Sequence, residues 1–576
     1  MNHVYNWRIK QQREHTSIID GVKSPTLLLK NARYLHPYFK KWLSGHIWIY
    51  QDRIIYVGEK LPERLEECEV MDCKDSLLVP GYIEPHAHPF QVYNPLTLAN
   101  YASQTGTTTL INDSLVLALL NDKKKAFSLL DEFKKLPVSM YWWCRFDSQT
   151  ELFREESIFS HETVQAWIER DDVIQGGELT SWPRLMAGDD SLLHWIQEMK
   201  RNRKRIEGHF PGASERTLVK LKLLGADADH ESMTGQEVWN RLQHGYTVAL
   251  RYSSIRPDLP VLLKELGIEH FDHVFFTTDG STPSFYKEGM IDLMIKMAIE
   301  EGVSPIEAYL MASFNVARYY QIDDLLGSIT TGRLANINFI HSETDPTPHS
   351  VLAKGKWVKR NGENTFGDYP ISWSKYGLKP YESNWELTMD DLQFSMAMGI
   401  EMVNAVITKP YSANLDLSVE SLSDDHDQCF FMLVDRKGRW KVNTMLKGFA
   451  HHIGGFASSF SISGDLVLIG KHKTDMLLAC RRLKELGGGI VLTENGKVLH
   501  EIPLTLNGVI SDKPMEEIME QETKLKVLLE ERGYQFGDPI YTLLFFSSTH
   551  LPYIRITQQG LFDVMKKMVL FPSVMR

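Results

Sequence analysis

The sequence predicts an α/β protein built around a (β/α)8 barrel, with a β-sandwich domain that brackets the barrel and a C-terminal α/β domain. Strand-like apolar runs alternate with amphipathic segments between residues 79 and 325, which is the pattern of parallel βα units. Shorter strand-like runs lie on either side of this region, in residues 1–78 and 326–366. Because 576 residues exceed what one hydrophobic core can hold, residues 380–576 are predicted to form a third domain.

The bracketing β domain is predicted from short apolar runs that are partly β-branched and separated by turns. Before the barrel these runs are TLLLKNARYL (26–35), HIWIY (46–50) and RIIYVG (53–58), with QDR (51–53) as a hairpin turn. After the barrel, strand character returns in GSITTGRLANINFI (327–340) and VLAKGKWVKRNG (351–362). We expect the later runs to complete the domain that the earlier runs begin.

Candidate strands in the central region number eight, and their span fits a barrel of this kind, which takes about 250 residues. In chain order they are LLVPGYIEP, TTTLIND, MYWWCRFD, DVIQGGEL, RIEGHF, GADADH, TVALRY and HVFFTTD. Amphipathic segments separate most of them, as in SLLHWIQEMKRNRK (191–204) and TGQEVWNRLQHG (235–246). A helix over residues 304–320, which begins at a Ser-Pro pair, is predicted to follow the last strand.

The third domain follows a connector rich in proline and aromatic residues, roughly Asp368 to Trp385. Strands and helices are predicted to alternate in it, as in LVLIGKHKTDMLLACRRLKELGGGIVLTENGKVL. The run Gly487–Gly489 follows a helix and precedes a strand, so we interpret it as a helix C-cap and turn. A phosphate-binding loop would need the reverse order.

Composition excludes several functional classes. The net charge of −11 and the lack of a Lys/Arg-rich run argue against a nucleic-acid-binding surface. The polar segment Met1–Ser17 does not resemble a secretory signal, and no apolar run is long enough to cross a bilayer. Five cysteines in so long a chain do not make a disulfide framework. We therefore expect a cytoplasmic protein whose partner is a small molecule rather than nucleic acid or a membrane.

A His-Ala-His motif follows the first candidate strand, at His86 and His88. In a strand, residues i and i+2 face the same side, so both imidazoles can bind one metal ion. The motif alone is weak evidence. Its position strengthens it, because barrel enzymes carry out their chemistry at the carboxyl ends of their strands.

Later strands end in further residues with metal-binding side chains: Glu178, His209, His230 and Asp279. Such a set is hard to explain as accidents of core or surface, so we predict a site for divalent metal. The ligands exceed what one ion needs, which predicts a binuclear centre bridged by Glu178. Imidazole and carboxylate suit Mn²⁺, Fe²⁺ and Zn²⁺ alike. Metal of this kind activates water for hydrolysis.

Asp279 is the predicted proton shuttle of this site, and Glu178 the other catalytic carboxylate. The alternative is that Asp279 only caps the turn before Gly280. Trp182 and Arg251 follow the fourth and seventh strands, where they could contact a bound heterocycle. Equally open is that Trp182 packs under its own loop and that Arg251 pairs with a barrel carboxylate.

Several longer segments resemble the adenine deaminase family of the metal-dependent amidohydrolase superfamily, and the resemblance covers nearly the whole chain. These segments are LLVPGYIEPHAH, QGGELTSWP, GHFPGASERTLVKLKLLGADADHES, TTDGSTPSFYKEGMIDLMIKMAIEEGVSPIEAYLMASFNVARYY, GSITTGRLANINFI and KHKTDMLLACRRLKELGGGIVLTENGKVL. The resemblance implies hydrolysis of adenine to hypoxanthine and ammonia. It implies that His86 and His88 bind a first metal ion and that His209 and His230 bind a second. Glu178 would bridge them, and Asp279 would bind metal and move the proton.

The chain departs from the family pattern at several polar positions. Where the family has Asp-Pro-His-Glu after the second strand, this chain has Asp113-Ser114-Leu115-Val116. The family's Arg-Glu-Gly-Ser after the seventh strand is Arg251-Tyr252-Ser253-Ser254 here, and its histidines around Ile291-Asp292 are Met290 and Leu293. In the third domain, SISGDLVLIG replaces a stretch that normally carries His-Asp-Ser-His. The expected metal ligands are all kept.

These departures leave other functions open. The same site could hydrolyse another amino-heterocycle or a cyclic amide, or the chain could be a non-catalytic paralogue that binds a ligand. A purely structural scaffold would leave the strand-end ligands unexplained. The sequence does not fix the metal or decide between a monomer and a homodimer.

Overall fold

A computed structural model describes residues 7–267 and 270–576 of the chain. The prediction for the polar segment Met1–Ser17 falls partly on residues 1–6, which lie outside the described residues. Its second half is helical: α1 spans Ile9–Ile19 and packs Ile18 against the first sheet, beside Leu28 and Trp48.

The first sheet begins with strands from the N-terminal part of the chain. They are β1 (Leu27–His36), β2 (Lys41–Tyr50), β3 (Arg53–Gly58), β4 (Glu69–Asp72) and β5 (Leu77–Pro80). β1, β2 and β3 form an antiparallel meander, and the predicted turn at residues 51–53 joins β2 to β3. Its tight turn places Gln51 in the left-handed region, at φ 55°. β4 and β5 both pair with β1 in parallel.

The barrel strands are parallel, and each of the predicted strand runs overlaps one of them. Within the described ranges there are eight: β6 (Tyr82–Ala87), β7 (Thr107–Asn112), β8 (Ser139–Cys144), β9 (Val173–Leu179), β10 (Arg205–Gly208), β11 (Ala228–Asp229), β12 (Thr247–Arg251) and β13 (Val274–Thr277). Each pairs with its neighbour in the chain, so the predicted barrel architecture is confirmed. The shortest strand, β11, lies in GADADH, the run with the weakest strand composition.

A side chain closes the barrel where a backbone ladder does not. Among the described residues, no ladder pairs β6 with β13. Instead, the buried Glu84 of β6 accepts hydrogen bonds from Thr277 Oγ1 at 2.8 Å and from the backbone N–H of Thr278 at 3.0 Å. The two end strands are therefore joined by the Glu84 carboxylate, with a longer contact of 3.5 Å from Thr277 Oγ1 to His86 O.

The first predicted barrel run, LLVPGYIEP, is divided between two sheets. β5 pairs with β1 in the first sheet, whereas β6 pairs with β7 in the barrel. The break falls at Gly81, where an added Cβ would clash with the Thr108 side chain. A single apolar run thus carries the chain from one sheet to the next, which periodicity alone does not reveal.

Helices connect the barrel strands and cover their outer face. They are α2 (Pro95–Gln104), α3 (Leu115–Leu120), α4 (Lys123–Phe133), α5 (Glu155–Ile158), α6 (His161–Ile168), α7 (Trp182–Met186), α8 (Asp190–Arg201), α9 (Glu215–Leu223), α10 (Gly235–Gln243), α11 (Leu259–Leu266), α12 (Ile291–Glu300), α13 (Pro305–Met311) and α14 (Phe314–Tyr319). The helix predicted over residues 304–320 is two helices, because the chain turns at Ser313, whose hydroxyl donates to Tyr309 O at 2.6 Å.

After the barrel the chain returns to the first sheet. The added strands are β14 (Ile337–Ile340), β15 (Ser350–Ala353), β16 (Lys356–Arg360) and β17 (Glu363–Asn364). β14 pairs antiparallel with β5, so segments from before and after the barrel share one sheet. Only the last four residues of GSITTGRLANINFI are a strand, and VLAKGKWVKRNG forms the β15–β16 hairpin.

The third domain consists mainly of strands. They are β18 (Met398–Met402), β19 (Thr408–Ser412), β20 (Gln428–Val434), β21 (Trp440–Lys447), β22 (Gly455–Ser458), β23 (Leu466–Gly470), β24 (Gly489–Glu494), β25 (Lys497–Pro503), β26 (Ile554–Thr557), β27 (Gly560–Asp563), β28 (Met568–Pro572) and β29 (Val574–Met575). Its helices are α15 (Lys473–Glu485), α16 (Met515–Glu530) and α17 (Pro539–Phe545). Gly487–Gly489 links α15 to β24 with three positive φ angles, as expected of a C-cap and turn.

Short 3-10 turns complete the described structure, at Pro283–Glu288, Trp373–Tyr376 and Met389–Leu392. The second of these lies in the predicted connector. None of the helices in the described part of the chain is both long and apolar enough to cross a membrane.

Asn94 ties the start of α2 to the third domain. Its Oδ1 accepts from Thr97 N at 2.9 Å, which caps the helix, and its Nδ2 donates to Ser511 O at 2.9 Å.

Asn94→Ala removes the cap and leaves a buried carbonyl without its partner, so we expect it to lower the free energy of unfolding by about 2 kcal/mol. Urea unfolding measures the loss. Asp122→Ala, which removes only the exposed cap of α4, should cost less, about 1 kcal/mol. Equal losses would contradict the cross-domain role.

Candidate metal centre

The predicted metal ligands lie together at the carboxyl edge of the barrel. His86 is in β6 and His88 directly follows it, while Glu178 is in β9. The others come directly after their strands: His209 follows β10, His230 follows β11, and Asp279 lies just beyond β13. Parallel strands deliver their ends to one face, which brings together residues up to 193 positions apart in the chain.

These side chains form two neighbouring triads. Within each triad, the ligand atoms lie within 4.8 Å of one another. In the first triad, Asp279 Oδ1 lies 3.2 Å from His86 Nε2 and 3.6 Å from His88 Nε2. This triad matches the predicted first metal site with Asp279 added.

The second triad consists of Glu178, His209 and His230. Glu178 Oε1 lies 2.7 Å from His209 Nδ1 and 3.6 Å from His230 Nε2. Its other oxygen accepts from Arg145 at 3.1 Å and from Gln149 Nε2 at 3.2 Å. The ring centroids of His86 and His230 are 4.4 Å apart, so the two triads are adjacent.

Glu207 orients one histidine of each triad. Its Oε1 lies 3.0 Å from His86 Nδ1 and 3.1 Å from His230 Nδ1. With Nδ1 so engaged, each ring presents Nε2 to the site, as carboxylates behind metal-binding histidines do. The buried Nε2 of His86 makes no hydrogen bond of good geometry among the described residues, although Asp279 Oδ1 lies 3.2 Å away. A cation would be bound by both groups, so the residues present fit a metal.

Asp113 plays the corresponding role for His88. Its Oδ2 lies 2.9 Å from His88 Nδ1. Arg145, buried to 97% of its surface, holds Asp113 through contacts of 2.7 and 2.8 Å. Burial would lower the pKa of the His88 imidazole, yet its contacts with Asp113 and Asp279 raise that pKa to about 9. A metal ion must therefore displace a proton from His88 to bind there.

Arg251 lies beneath Asp279 and is buried. Its Nη1 is 2.7 Å from Asp279 Oδ2 and 2.6 Å from Glu231 Oε1. Burial alone would raise the pKa of the Asp279 carboxyl, but Arg251 and the two histidines of the first triad hold it well below its usual range. The structure thus places Arg251 in the ion pair that the sequence left open as an alternative to substrate contact.

Trp182 occupies the first position of α7, where its half-buried ring packs edge-on to Phe210 with 6.4 Å between centroids. Among the described residues, no contact joins it to either triad. The ring thus packs against a residue that follows β10, whereas the alternative that the sequence left open was packing under its own loop.

Sequence reasoning passed over several residues of the site. Glu84 and Glu207 lie two positions before His86 and His209, so strand periodicity could have placed them on the same face. Glu231 directly follows His230, and its Oε1 lies 3.2 Å from His209 Nδ1. Nothing in the sequence around Arg145 indicated that it would hold two site carboxylates.

The third domain also reaches the site. The ring of His550 lies edge-on to that of His209, with 5.2 Å between centroids. Burial lowers the pKa of the His550 imidazole to about 3, so it is neutral near pH 7. The metal centre is therefore enclosed from the side opposite the barrel.

Comparison with known proteins adds family matches to this geometry. The family model described as "Amidohydrolase family" matches residues 77–358, and that described as "Adenine deaminase C-terminal domain" matches residues 405–568. The first covers the barrel and the returning strands as far as Val358 in β16, and the second covers most of the third domain.

Two relatives are similar over essentially the whole chain. A Bacillus cereus protein named "Putative adenine deaminase" is 57% identical over 576 residues, covering 100% of this chain and 98% of its own length. The Bacillus subtilis protein named "Putative adenine deaminase YerA" is 57% identical, with 99% of each chain covered. Among solved structures, the β-aspartyl dipeptidase of Fervidobacterium islandicum is similar with a TM-score of 0.45 and 16% identity, over 60% of this chain and 100% of that one.

Glu207→Gln tests the orienting role of this carboxylate. The variant keeps the shape and an accepting oxygen but removes the negative charge beside both Nδ1 atoms, so we expect metal affinity to fall about 10- to 100-fold. Titration of metal-free protein with Mn²⁺ measures the change. Glu215→Gln, whose side chain is 70% exposed, is the matched control and should leave affinity unchanged. Equal affinity in Glu207→Gln and wild type would contradict the role.

Proposed function

Because the chain belongs to the adenine deaminase family of the amidohydrolase superfamily, we propose that it hydrolyses adenine to hypoxanthine and ammonia. The observation that carries the proposal is the convergence of His86, His88 and Asp279 beside Glu178, His209 and His230 at one barrel edge. A structural scaffold would have no use for so many buried carboxylates gathered around histidines, because burying each charge costs free energy unless it is paired.

Divalent metal, Mn²⁺ or Fe²⁺ with Zn²⁺ as the alternative, would be held by the two triads, one ion in each. Glu178 is a member of the second triad and is the proposed bridge between the ions. When bound, such ions lower the pKa of water to near neutrality and polarise the carbon under attack. The chain's own residues then position the heterocycle and move the protons.

Asp279 is the proposed proton carrier. Arg251 keeps its carboxylate ionised, and its Oδ1 faces His86 and His88 rather than the core. It would accept a proton from the attacking water and pass it to the departing amine, so that adenine and water become hypoxanthine and ammonia. Glu178, held by Arg145, is the second proposed catalytic carboxylate.

Another amino-heterocycle or cyclic amide is the second candidate substrate. It is supported by the polar family residues that this chain lacks around Asp113, Tyr252, Met290 and Leu293. Arg145 binds Asp113, and Asp113 contacts His88. The residue of this segment that contacts a proposed metal ligand is therefore kept, while the residues that follow it differ from the family pattern. A non-catalytic paralogue is disfavoured because every expected metal ligand is present.

The test is release of ammonia and hypoxanthine from adenine by Mn²⁺-loaded protein, alongside a panel of aminopurines, pterins and cyclic ureides. Turnover of adenine supports the proposal. Turnover of another compound with adenine untouched would favour the second candidate, and turnover of none would favour the non-catalytic paralogue.

Metal content tests the binuclear arrangement. We expect about two divalent ions per chain after full loading, because the two triads share no residue and each supplies three ligands. Elemental analysis after reconstitution with Mn²⁺, Fe²⁺ or Zn²⁺ gives the number. His88→Ala should weaken one site and His209→Ala the other. A content that stays at or below one ion for all three metals would reject two sites.

Asp279→Asn tests the proton carrier. The change keeps the shape and one oxygen but removes the base, so we expect kcat to fall by about 10² to 10⁴-fold with metal content largely retained. Asp272→Asn is the control, because Asp272 precedes β13, at the end of that strand opposite to Asp279, and pairs with Lys40. The role would be wrong if Asp279→Asn turned over substrate within about tenfold of wild type.

A further inference from the structure

Two buried carboxylates of the third domain contact the barrel segment that follows Asp279. Ser284 N donates to Glu522 Oε2 at 2.6 Å, and the hydroxyl of Thr282 donates to Asp538 Oδ2 at 2.9 Å. Only 2% of Glu522, on α16, and 5% of Asp538, which precedes α17, is exposed. The two domains are therefore joined here through two acids that lie beside the same short stretch of the barrel.

The hydrogen bonds favour ionisation of one acid over the other. Asp538 caps α17, because its Oδ1 accepts from Tyr541 N at 3.0 Å, while its Oδ2 accepts from Thr282. Glu522 accepts from Ser284 N. Hydrogen bonds to the ionised form of a carboxyl favour that form. Asp538 is thus the acid that remains charged, and Glu522 is the one that takes up a proton first.

Neither acid has a cationic partner. Among the described residues, no ion pair joins Glu522 or Asp538 to a lysine, arginine or histidine, whereas buried acids of the metal centre pair with Arg145 or Arg251. Burial and the Asp538 carboxylate raise the pKa of Glu522 to about 7, and burial also raises the pKa of Asp538. Two neighbouring buried acids without a cation do not both ionise readily, so near pH 7 the pair retains about one proton.

The other titratable groups around the pair do not supply a cation. Burial raises the pKa of the surrounding phenols, which are those of Tyr101 on α2, Tyr286 on the 3-10 turn, and Tyr534 and Tyr541 at α17. Burial lowers the pKa of the imidazole of His500 on β25, whose Nε2 lies 2.8 Å from Gln521 O. These groups are therefore uncharged near pH 7.

Charged side chains on the elements packed against the pair are exposed or already paired. The exposed ones include Lys287, Glu288, Lys497 and Lys524. Others pair with one another, namely Glu501 with Arg482, Lys526 with Glu530, and Arg256 with Glu231. The charge of the two acids is thus not compensated by these neighbours.

The segment that the acids hold leads directly back to the metal centre, because Thr282 is three residues after Asp279. Between them, Gly280 lies so close to His88 that an added Cβ would clash with the imidazole. The turn therefore has little room to adjust by itself. A displacement of Thr282 would be transmitted to Asp279.

We propose that Glu522 and Asp538 form a pH-sensitive contact between the domains, which holds Thr282 and Ser284 while the pair retains one proton and weakens when that proton is lost to solvent. Through this segment the third domain positions Asp279 in a pH-dependent manner. The inference goes beyond the proposed function, because it does not depend on the compound that the metal centre hydrolyses.

The pH dependence has a defined sign. The pKa of each acid is higher in the closed contact than in an open, hydrated one, so the open form releases its protons at lower pH. The closed contact is therefore most stable below the ordinary pKa of a carboxyl. It loses stability as the pH rises, until the Glu522 pKa of about 7 is passed.

Hydrogen–deuterium exchange of the full-length protein tests the contact without a substrate. Protection of the amides of residues 284–288 is measured at about pH 6 and about pH 8.5 and corrected for the intrinsic exchange rate at each pH. We expect this protection to fall about tenfold between the two conditions, because the open form has already lost the proton that the closed contact retains. Amides of β20, in the core of the third domain, should keep their protection.

Glu522→Gln keeps an acceptor for Ser284 N but has no proton to lose, so protection should change less than about twofold over the same pH range. Glu520→Gln, exposed on the same helix, is the matched control and should show the full fall of about tenfold. Should Glu522→Gln fail to fold, Asp538→Asn retains a residue suited to the N-cap of α17 and removes the neighbouring charge. The fall should then shrink to less than about threefold.

Two results would overturn the proposal. Protection that does not change with pH in the wild type would mean that the pair loses no proton in this range. A fall that persists undiminished in Glu522→Gln would mean that another group titrates. Neither result depends on turnover, so failure of this inference and failure of the proposed deamination are observed separately.

Discussion

Buried negative charge at the carboxyl edge of the barrel is the constraint on which the rest of the site depends. Asp279 and Glu231 share Arg251, while Asp113 and Glu178 share Arg145. Unpaired carboxylates at this depth would be very costly, and removing one partner from such a pair leaves an uncompensated charge. The arginines therefore allow acidic residues to lie beside histidines in a buried site. They also fix each carboxylate so that one oxygen remains directed at the histidines.

The strand order and the main ligand set could be predicted from sequence, because they follow from local rules. Alternating runs identify parallel strands, and the ends of such strands meet at one face, which brings His86 near Asp279. Because alternate residues of a strand face the same side, Glu84 and Glu207, two positions before His86 and His209, could also have been predicted. What could not be predicted comes from tertiary contacts. The assignment of LLVPGYIEP to two sheets depends on the close approach of Gly81 to Thr108, and the role of Arg251 depends on Glu231.

The third domain contributes to the site from the side that the barrel leaves open. His550 lies against His209, and Thr549 fixes the carbonyl of Gln149. Residues of the third domain thus contact one proposed metal ligand, His209, and the backbone of Gln149, whose side chain donates to another, Glu178.

The contact between the first and last barrel strands links the geometry of the barrel to metal binding at its carboxyl edge. β6 and β13 carry His86 and lead into Asp279, yet Glu84 rather than a backbone ladder holds their ends together. The separation of two ligands of the first triad is thus set where side chains, those of Glu84 and Thr277 among them, join the two strands. An ion bound by these ligands would also hold the two strands together. Separation of the strands and release of the ion are therefore coupled equilibria. Without a bound ion, the barrel is expected to open between its first and last strands, β6 and β13.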